Sequence, residues 1–82
     1  MSAETASSTN AVEIYVRLLN EGTEVLRPTT GHLVGPDVLQ VLPTADYDPD
    51  VEEWEFPPGT KVKCTTETRD GRRLLIARQR ID

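Results

Sequence analysis

The chain has 82 residues, a net charge of −5 and a single cysteine. A chain of this length forms one domain, and a lone cysteine excludes an internal disulfide, so apolar packing has to stabilise the fold by itself. The first residues lack the basic and apolar regions of a signal peptide, and no window approaches the roughly 20 apolar residues of a membrane span. We therefore expect a cytoplasmic protein that does not associate with membranes.

The N-terminal residues 1–11 are rich in Ser, Thr, Ala and Glu and show no apolar periodicity. Such a segment cannot bury enough apolar surface to offset the entropy lost when it becomes ordered. We predict a disordered tail over residues 1–11, followed by a single small β-barrel domain over residues 12–82.

Alternating apolar and polar residues over 12–18 predict a first, half-buried strand. A turn over residues 20–22 precedes an extended run over residues 23–27, which is rich in β-branched side chains. Pro28 cannot donate a ladder hydrogen bond, so we expect it at an edge, a bulge or a strand end.

Turn signals separate the predicted elements in the middle of the chain. Residues 29–34 either continue the second strand or form a short return. Gly35-Pro36-Asp37 predicts a turn before the apolar strand 38–42. The acidic residues between Thr44 and Glu55 predict a surface loop or a single helical turn, which Thr44 could cap.

Two further turn signals organise the C-terminal third. Pro57-Pro58-Gly59 predicts a sharp bend, because proline presets φ and glycine accepts a positive φ. Val62, Cys64 and Thr66 then alternate with polar residues, which places the cysteine on the inward face. Asp70-Gly71 predicts a hairpin whose second strand covers residues 73–79.

No stretch shows the apolar recurrence of a long helix, and the predicted strands are short and regularly spaced. This pattern indicates an all-β fold, a small five-stranded SH3-like open barrel.

Three segments carry a resemblance to known proteins, namely YVRL over 15–18, EGTEVLRP over 21–28 and WEFPPGTKVKC over 54–64. They resemble a family of short bacterial proteins that has no established activity, over roughly residues 14–77. The resemblance implies a bacterial protein and brings no site residues. Separately, residues 54–63 are similar to the diverging turn of SH3-like domains, which supports the fold.

The acidic segment raises the question of metal binding. Carboxylates at alternate positions could surround a calcium ion. They are Asp46, Asp48, Asp50 and Glu52. An EF-hand is excluded, because Val51 and Pro57 occupy the positions of its essential glycine and final glutamate. We expect neither a metal nor a cofactor.

Aromatic residues interleaved with carboxylates are typical of SH3-like grooves that hold proline-rich or arginine-bearing peptides. The predicted binding residues are Tyr47, Asp48, Asp50, Glu52, Glu53 and Trp54. They suggest an accessory module that binds an unidentified protein or peptide. The alternative is that Trp54 and Phe56 plug the end of the barrel, leaving Tyr47 as the exposed aromatic residue.

Charge reverses along the chain, because the last 22 residues hold seven of the nine basic residues. Arg69, Arg72 and Arg73 form an alternative basic patch for nucleic acid or a ribonucleoprotein. Strand alternation divides the arginines of the hairpin, since Arg78 and Arg80 share one parity and Arg73 the other. No aromatic residue lies among them, and the acidic total argues against nucleic acid. A third hypothesis is a structural protein, a monomer or weak homo-oligomer that associates through a strand edge.

The sequence contains no plausible set of catalytic residues. His32 is the only histidine, Cys64 is the only strong nucleophile, and the periodicity points Cys64 inward. No phosphate-binding glycine loop or nucleophile elbow occurs in the sequence. We expect that the protein is not an enzyme.

Overall fold

The computed structural model describes residues 10–81, so residues 1–9 of the predicted tail lie outside the described residues. The strands are β1 (Ala11–Leu18), β2 (Val25–Gly35), β3 (Val38–Val41), β4 (Lys61–Arg69) and β5 (Arg72–Arg80). They close into one barrel in the order β1-β2-β3-β4-β5. The predicted all-β barrel of five strands is confirmed, and its first strand begins at Ala11 rather than Val12. None of the described residues form a helix with the length and hydropathy that crossing a bilayer requires.

Successive strands pair antiparallel, whereas the closure between β1 and β5 is parallel and narrow. It consists of a single bridge between Tyr15 and Ile76. A second connection comes from outside the strands, because Trp54 forms an antiparallel bridge with Leu18. The segment around Trp54 therefore lies against the end of β1 and helps to close the barrel.

The predicted turns at Gly35-Pro36-Asp37, Pro57-Pro58-Gly59 and Asp70-Gly71 are present. Gly59 has a φ of 96°, and the amide of Thr60 donates to the Pro57 carbonyl at 3.1 Å. Asp70 and Gly71 have φ values of 52° and 76°, the conformation that a two-residue hairpin of type I′ requires.

Pro28 lies inside β2, opposite Tyr15 of β1, and residues 29–34 continue the same strand. The amide of Leu42 donates to the Thr30 carbonyl at 2.9 Å, so the backbone of Thr30 faces the β3 side. By alternation the nitrogen of Pro28 faces that side too, beyond the end of β3 at Val41. Pro28 thus occupies a local edge, as expected, and interrupts no ladder bond with β1.

The core lies between the strands and is mainly aliphatic, with two aromatic residues at one end. Its buried members are Ile14, Val16, Leu18, Leu39, Val41, Trp54, Phe56, Val62 and Ala77. The register shifts between Lys63 and Cys64, which pair with Gln79 and Ala77, so Arg78 is an extra residue in β5. Thr66, predicted to face inward, is exposed, and it lies beyond the stretch of β4 that pairs with β3.

Candidate functional site

The acidic segment forms an ordered surface loop, here called the acidic loop and defined as residues 44–53. It consists of consecutive tight turns rather than a helix. The amide of Tyr47 donates to the Thr44 carbonyl at 3.1 Å, and the amide of Val51 donates to the Asp48 carbonyl at 3.0 Å. The Asp48 carboxylate also accepts a 2.9 Å bond from the Asp50 amide, which fixes the turn around Pro49.

The aromatic residues of this region support the loop from inside. Trp54 is only 3% exposed and Phe56 is 7% exposed, so both plug the end of the barrel. Tyr47 is half-buried and meets Trp54 edge to face, with ring centroids 4.8 Å apart and planes at 71°. The structure matches the alternative interpretation for Trp54 and Phe56, and these rings do not form an open groove. The expectation of an exposed Tyr47 is wrong, because this ring packs against Trp54.

The Glu52 carboxylate is largely buried and hydrogen-bonded to other residues of the protein. Its carboxylate accepts a hydrogen bond from the indole Nε1 of Trp54 at 3.1 Å. It also pairs with Arg27 of β2, whose Nε donates at 3.1 Å and whose Nη2 makes a second contact. A carboxylate with this pairing positions the loop on β2, and its charge is already compensated.

Asp50 and Glu53 of the acidic loop line a cleft between this loop and the β1–β2 turn, here called the acidic cleft. Its volume is about 370 Å³, and its lining residues are Leu19, Asn20, Glu21, Pro49, Asp50, Val51 and Glu53. Val51 is apolar and 76% exposed.

The charge of this cleft is uncompensated. No lysine or arginine lines it, and Glu21, Asp50 and Glu53 make no ion pair within residues 10–81. Glu53 accepts a hydrogen bond from the Asn20 side-chain amide, which joins the two walls without adding charge. Asp46 and Asp48 belong to the loop but do not line the cleft.

Two backbone hydrogen bonds, of the kind found between strands, hold the two walls of the cleft together. The Leu19 amide donates to the Glu53 carbonyl at 2.7 Å, and the Glu55 amide donates to the Arg17 carbonyl at 2.9 Å. These bonds flank the bridge between Leu18 and Trp54. They bring Glu21 beside the acidic loop, a contact that spacing along the sequence does not indicate.

The predicted basic patch is divided between two environments. Arg69 contacts Glu24 at 3.1 Å and Glu67 at 2.8 Å, and Arg78 binds the same two carboxylates. Hydrogen bonds from Arg78 and then from the Thr65 hydroxyl hold the pKa of Glu67 well below its usual range. Arg69 is thus neutralised by neighbours.

Arg72 and Arg73 are exposed at the tip of the β4–β5 hairpin. They lie at the start of β5 and pair across the strands with Arg69 and Thr68 respectively. Their side chains project to opposite faces of the hairpin, because successive residues of a strand alternate. The three arginines therefore do not form one continuous positive surface.

Within residues 10–81, no group of three or more potential ligand side chains is arranged to hold a metal ion. His32 is exposed on β2, and Cys64 is half-buried on β4. Burial raises the pKa of the Cys64 thiol to about 11, so it is protonated at neutral pH.

Comparison with protein-family models, with curated proteins and with solved structures finds no match for this chain.

Of the residues that line the acidic cleft, the sequence predicted Asp50 and Glu53 but not Leu19, Glu21 or Val51. Val51 carried a usable signal, because it is an apolar residue within an acidic run. No feature of the sequence distinguished Leu19 or Glu21.

Proposed function

We propose that this protein is a non-catalytic binding module whose acidic cleft takes up a basic segment of a partner protein. The observation that carries the proposal is the set of three uncompensated carboxylates, Glu21, Asp50 and Glu53, in one cleft. Lysine or arginine side chains of a partner would supply the missing positive charge.

Val51 indicates what else the segment contains. Single exposed apolar side chains are common on protein surfaces. Val51 differs because it is 76% exposed in a cleft whose charged lining residues are all acidic. The same cleft also contains the half-buried Leu19. A partner segment with an apolar residue between basic residues would bury Val51 while pairing the carboxylates.

In this proposal the loop is preorganised by residues that do not contact the partner. Trp54, Tyr47 and Glu52 hold the loop on the barrel through core packing and the Arg27 pair. A preformed loop loses little conformational entropy when it binds. We place the module in the cytoplasm, because its one cysteine is a thiol rather than part of a disulfide.

The test uses a fluorescein-labelled peptide of sequence Lys-Arg-Leu-Lys and its acidic counterpart Glu-Glu-Leu-Glu, titrated with the full chain. We expect saturable anisotropy for the basic peptide only, and weaker binding as salt screens the charges. Asp50→Lys should abolish binding. Asp46→Lys is the matched control, since Asp46 lies in the same loop but outside the cleft.

Other results would replace the proposal. If Asp46→Lys and Asp50→Lys weaken binding equally, the loop acts only through its general charge. If the protein instead binds an RNA homopolymer and loses it on Arg72→Glu, the basic hairpin is the functional surface. A mass that rises with concentration, without peptide binding, would favour a homo-oligomeric structural role.

A further inference from the structure

A second unpartnered feature lies on β4, because β3 is too short to cover it. β3 pairs with β4 only through Leu39 with Val62 and Gln40 with Lys61. β4 continues to Arg69, and beyond Lys63 the described residues pair with it only through β5. The segment from Cys64 to Thr68 is therefore an open strand edge, here called the β4 edge.

The backbone groups that point outward from this edge follow from alternation along the strand. The Ile81 amide donates to the Lys61 carbonyl at 2.8 Å, so odd-numbered residues of β4 face β5. The Val41 amide donates to the Thr60 carbonyl at 2.9 Å, so even-numbered residues face the β3 side. The amides and carbonyls of Thr66 and Thr68 consequently point to the side where β3 is missing.

An apolar cleft adjoins the β4 edge at the mouth of the barrel, here called the mouth cleft. It has a volume of about 500 Å³, and its apolar lining comes from Val12, Leu33, Leu39, Cys64 and Leu75. Leu33 is 42% exposed there. Cys64 belongs both to the cleft and to the edge, so a strand added at the edge would lie against the cleft.

Basic side chains outnumber acidic ones around this site. Lys63 lines the mouth cleft, and Arg73 pairs across the hairpin with Thr68 of the β4 edge. Neither makes an ion pair within residues 10–81. Asp37 is the one acidic residue in the lining, and it too makes no ion pair within residues 10–81.

We propose that an extended segment of a partner protein adds to the β4 edge as a further strand. It would hydrogen-bond to Thr66 and Thr68, place an apolar side chain in the mouth cleft, and set acidic residues near Lys63 and Arg73. Alternating amides and carbonyls complement an extended peptide, and the apolar cleft beside them selects its side chain. The site is separate from the acidic cleft and takes a ligand of the opposite charge.

The probe is a fluorescein-labelled peptide, Glu-Thr-Val-Leu-Val-Thr-Glu, titrated with the full chain. Two further versions carry N-methyl groups on one or the other set of alternate backbone nitrogens. Strand addition predicts that at least one version loses binding, by roughly fivefold for each blocked hydrogen bond. A version with lysine in place of glutamate should bind more weakly. Equal binding of both methylated versions and the parent would overturn the proposal.

Two adjacent residues of β2 provide matched variants. Leu33 and Val34 are 42% and 43% exposed, but only Leu33 lines the mouth cleft. We expect Leu33→Glu to weaken peptide binding about tenfold or more, whereas Val34→Glu leaves it unchanged. Equal effects of the two substitutions would contradict a role for the cleft.

Thr66→Pro tests the edge directly. It removes an amide that faces away from β5, so the hairpin keeps its own bonds and circular dichroism should show a folded barrel. Peptide binding should be lost, while Asp50→Lys should leave it intact. A dimer that Thr66→Pro dissociates would show that a second copy occupies the edge. Binding that appears only after residues 2–9 are removed would assign the site to the chain's own N-terminus. Either result overturns the proposal of a partner protein.

Discussion

Gly31 occupies a position in β2 where an added side chain would press against the core. A Cβ atom there would lie 3.1 Å from Ile14 Cδ1 and 3.3 Å from Leu39 Cβ. We expect Gly31→Ala to lower the free energy of unfolding by about 1–3 kcal/mol, because overpacking displaces these core residues. Gly22→Ala is the control, since no atom lies within 4 Å of its added Cβ. Urea denaturation compares the two, and equal losses would contradict the tight contact.

Cys64 should react slowly for a cysteine. Its pKa is raised from 9.0 to about 11 by burial, so at pH 8 its thiolate fraction is about 100-fold below that of an unfolded chain. We expect alkylation by iodoacetamide to accelerate between pH 8 and pH 11, and the urea-unfolded chain to react fast already at pH 9. A native rate that levels off near pH 9 would show that the thiol is not desolvated.

The raised pKa also has a consequence for stability. The unfolded chain ionises at Cys64 first, so the contribution of the buried thiol is fully present below pH 9. It is lost as the pH rises from 9 towards 11. Cys64→Ser should remove this component of alkaline destabilisation.

At the scale of elements, four side chains connect the β1–β2 turn to the β4–β5 hairpin. Glu24 lies just before β2, Glu67 and Arg69 lie on β4, and Arg78 lies on β5. Each arginine contacts both carboxylates. Such a network orients the hairpin more than an isolated surface pair would.

The network predicts a dependence of stability on acid. Arg69 lowers the pKa of Glu24, and Arg78 lowers the pKa of Glu67, from an ordinary value of 4.5. Lowered native pKa values contribute stability above pH 4.5, which is lost as the pH falls through those native values. We expect the melting temperature to fall below pH 4.5 in the wild type and to fall less in Glu67→Gln. Glu13→Gln, at an exposed position on β1, should retain the wild-type profile.

The strands were predictable because each depends on local alternation and on turns such as Asp70-Gly71. The ion pairing of Arg69 could not be predicted, since its partner Glu24 lies 45 residues away in the sequence. Ile76 and Ala77 are consecutive and both wholly buried, which a period of two cannot predict. They pair in unbroken register with Thr65 and Cys64, so their side chains lie on opposite faces of β5, and both faces are covered where β5 also bridges to Tyr15 of β1.

At the scale of the whole molecule, most of the fold connects neighbours in the sequence. Every strand pair except β1 with β5 follows chain order. The closure depends on one parallel bridge and on the segment around Trp54. The acidic cleft was hard to predict for the same reason, because its walls meet only when this non-local contact forms.

Trp54 should therefore determine both the stability of the barrel and the position of the acidic loop. We expect Trp54→Ala to lower the free energy of unfolding by about 3–5 kcal/mol, a large share of the stability of a small domain. Trp54→Phe should cost less than Trp54→Ala, because it keeps a ring in the core, although it loses the 3.1 Å bond to Glu52 and part of the buried indole volume. Urea denaturation followed by circular dichroism measures both variants.

Hydrogen exchange locates the effect. The amides of Leu19 and Glu55 donate across the closure, so their protection should fall in Trp54→Ala. Amides of the β4–β5 hairpin should stay protected at the level set by global unfolding. A loss of less than about 1 kcal/mol in the free energy of unfolding of Trp54→Ala would be below the usual cost of a large core truncation. The closure would then not depend on this side chain. The acidic cleft would then be held mainly by backbone bonds between the Leu18 and Trp54 segments.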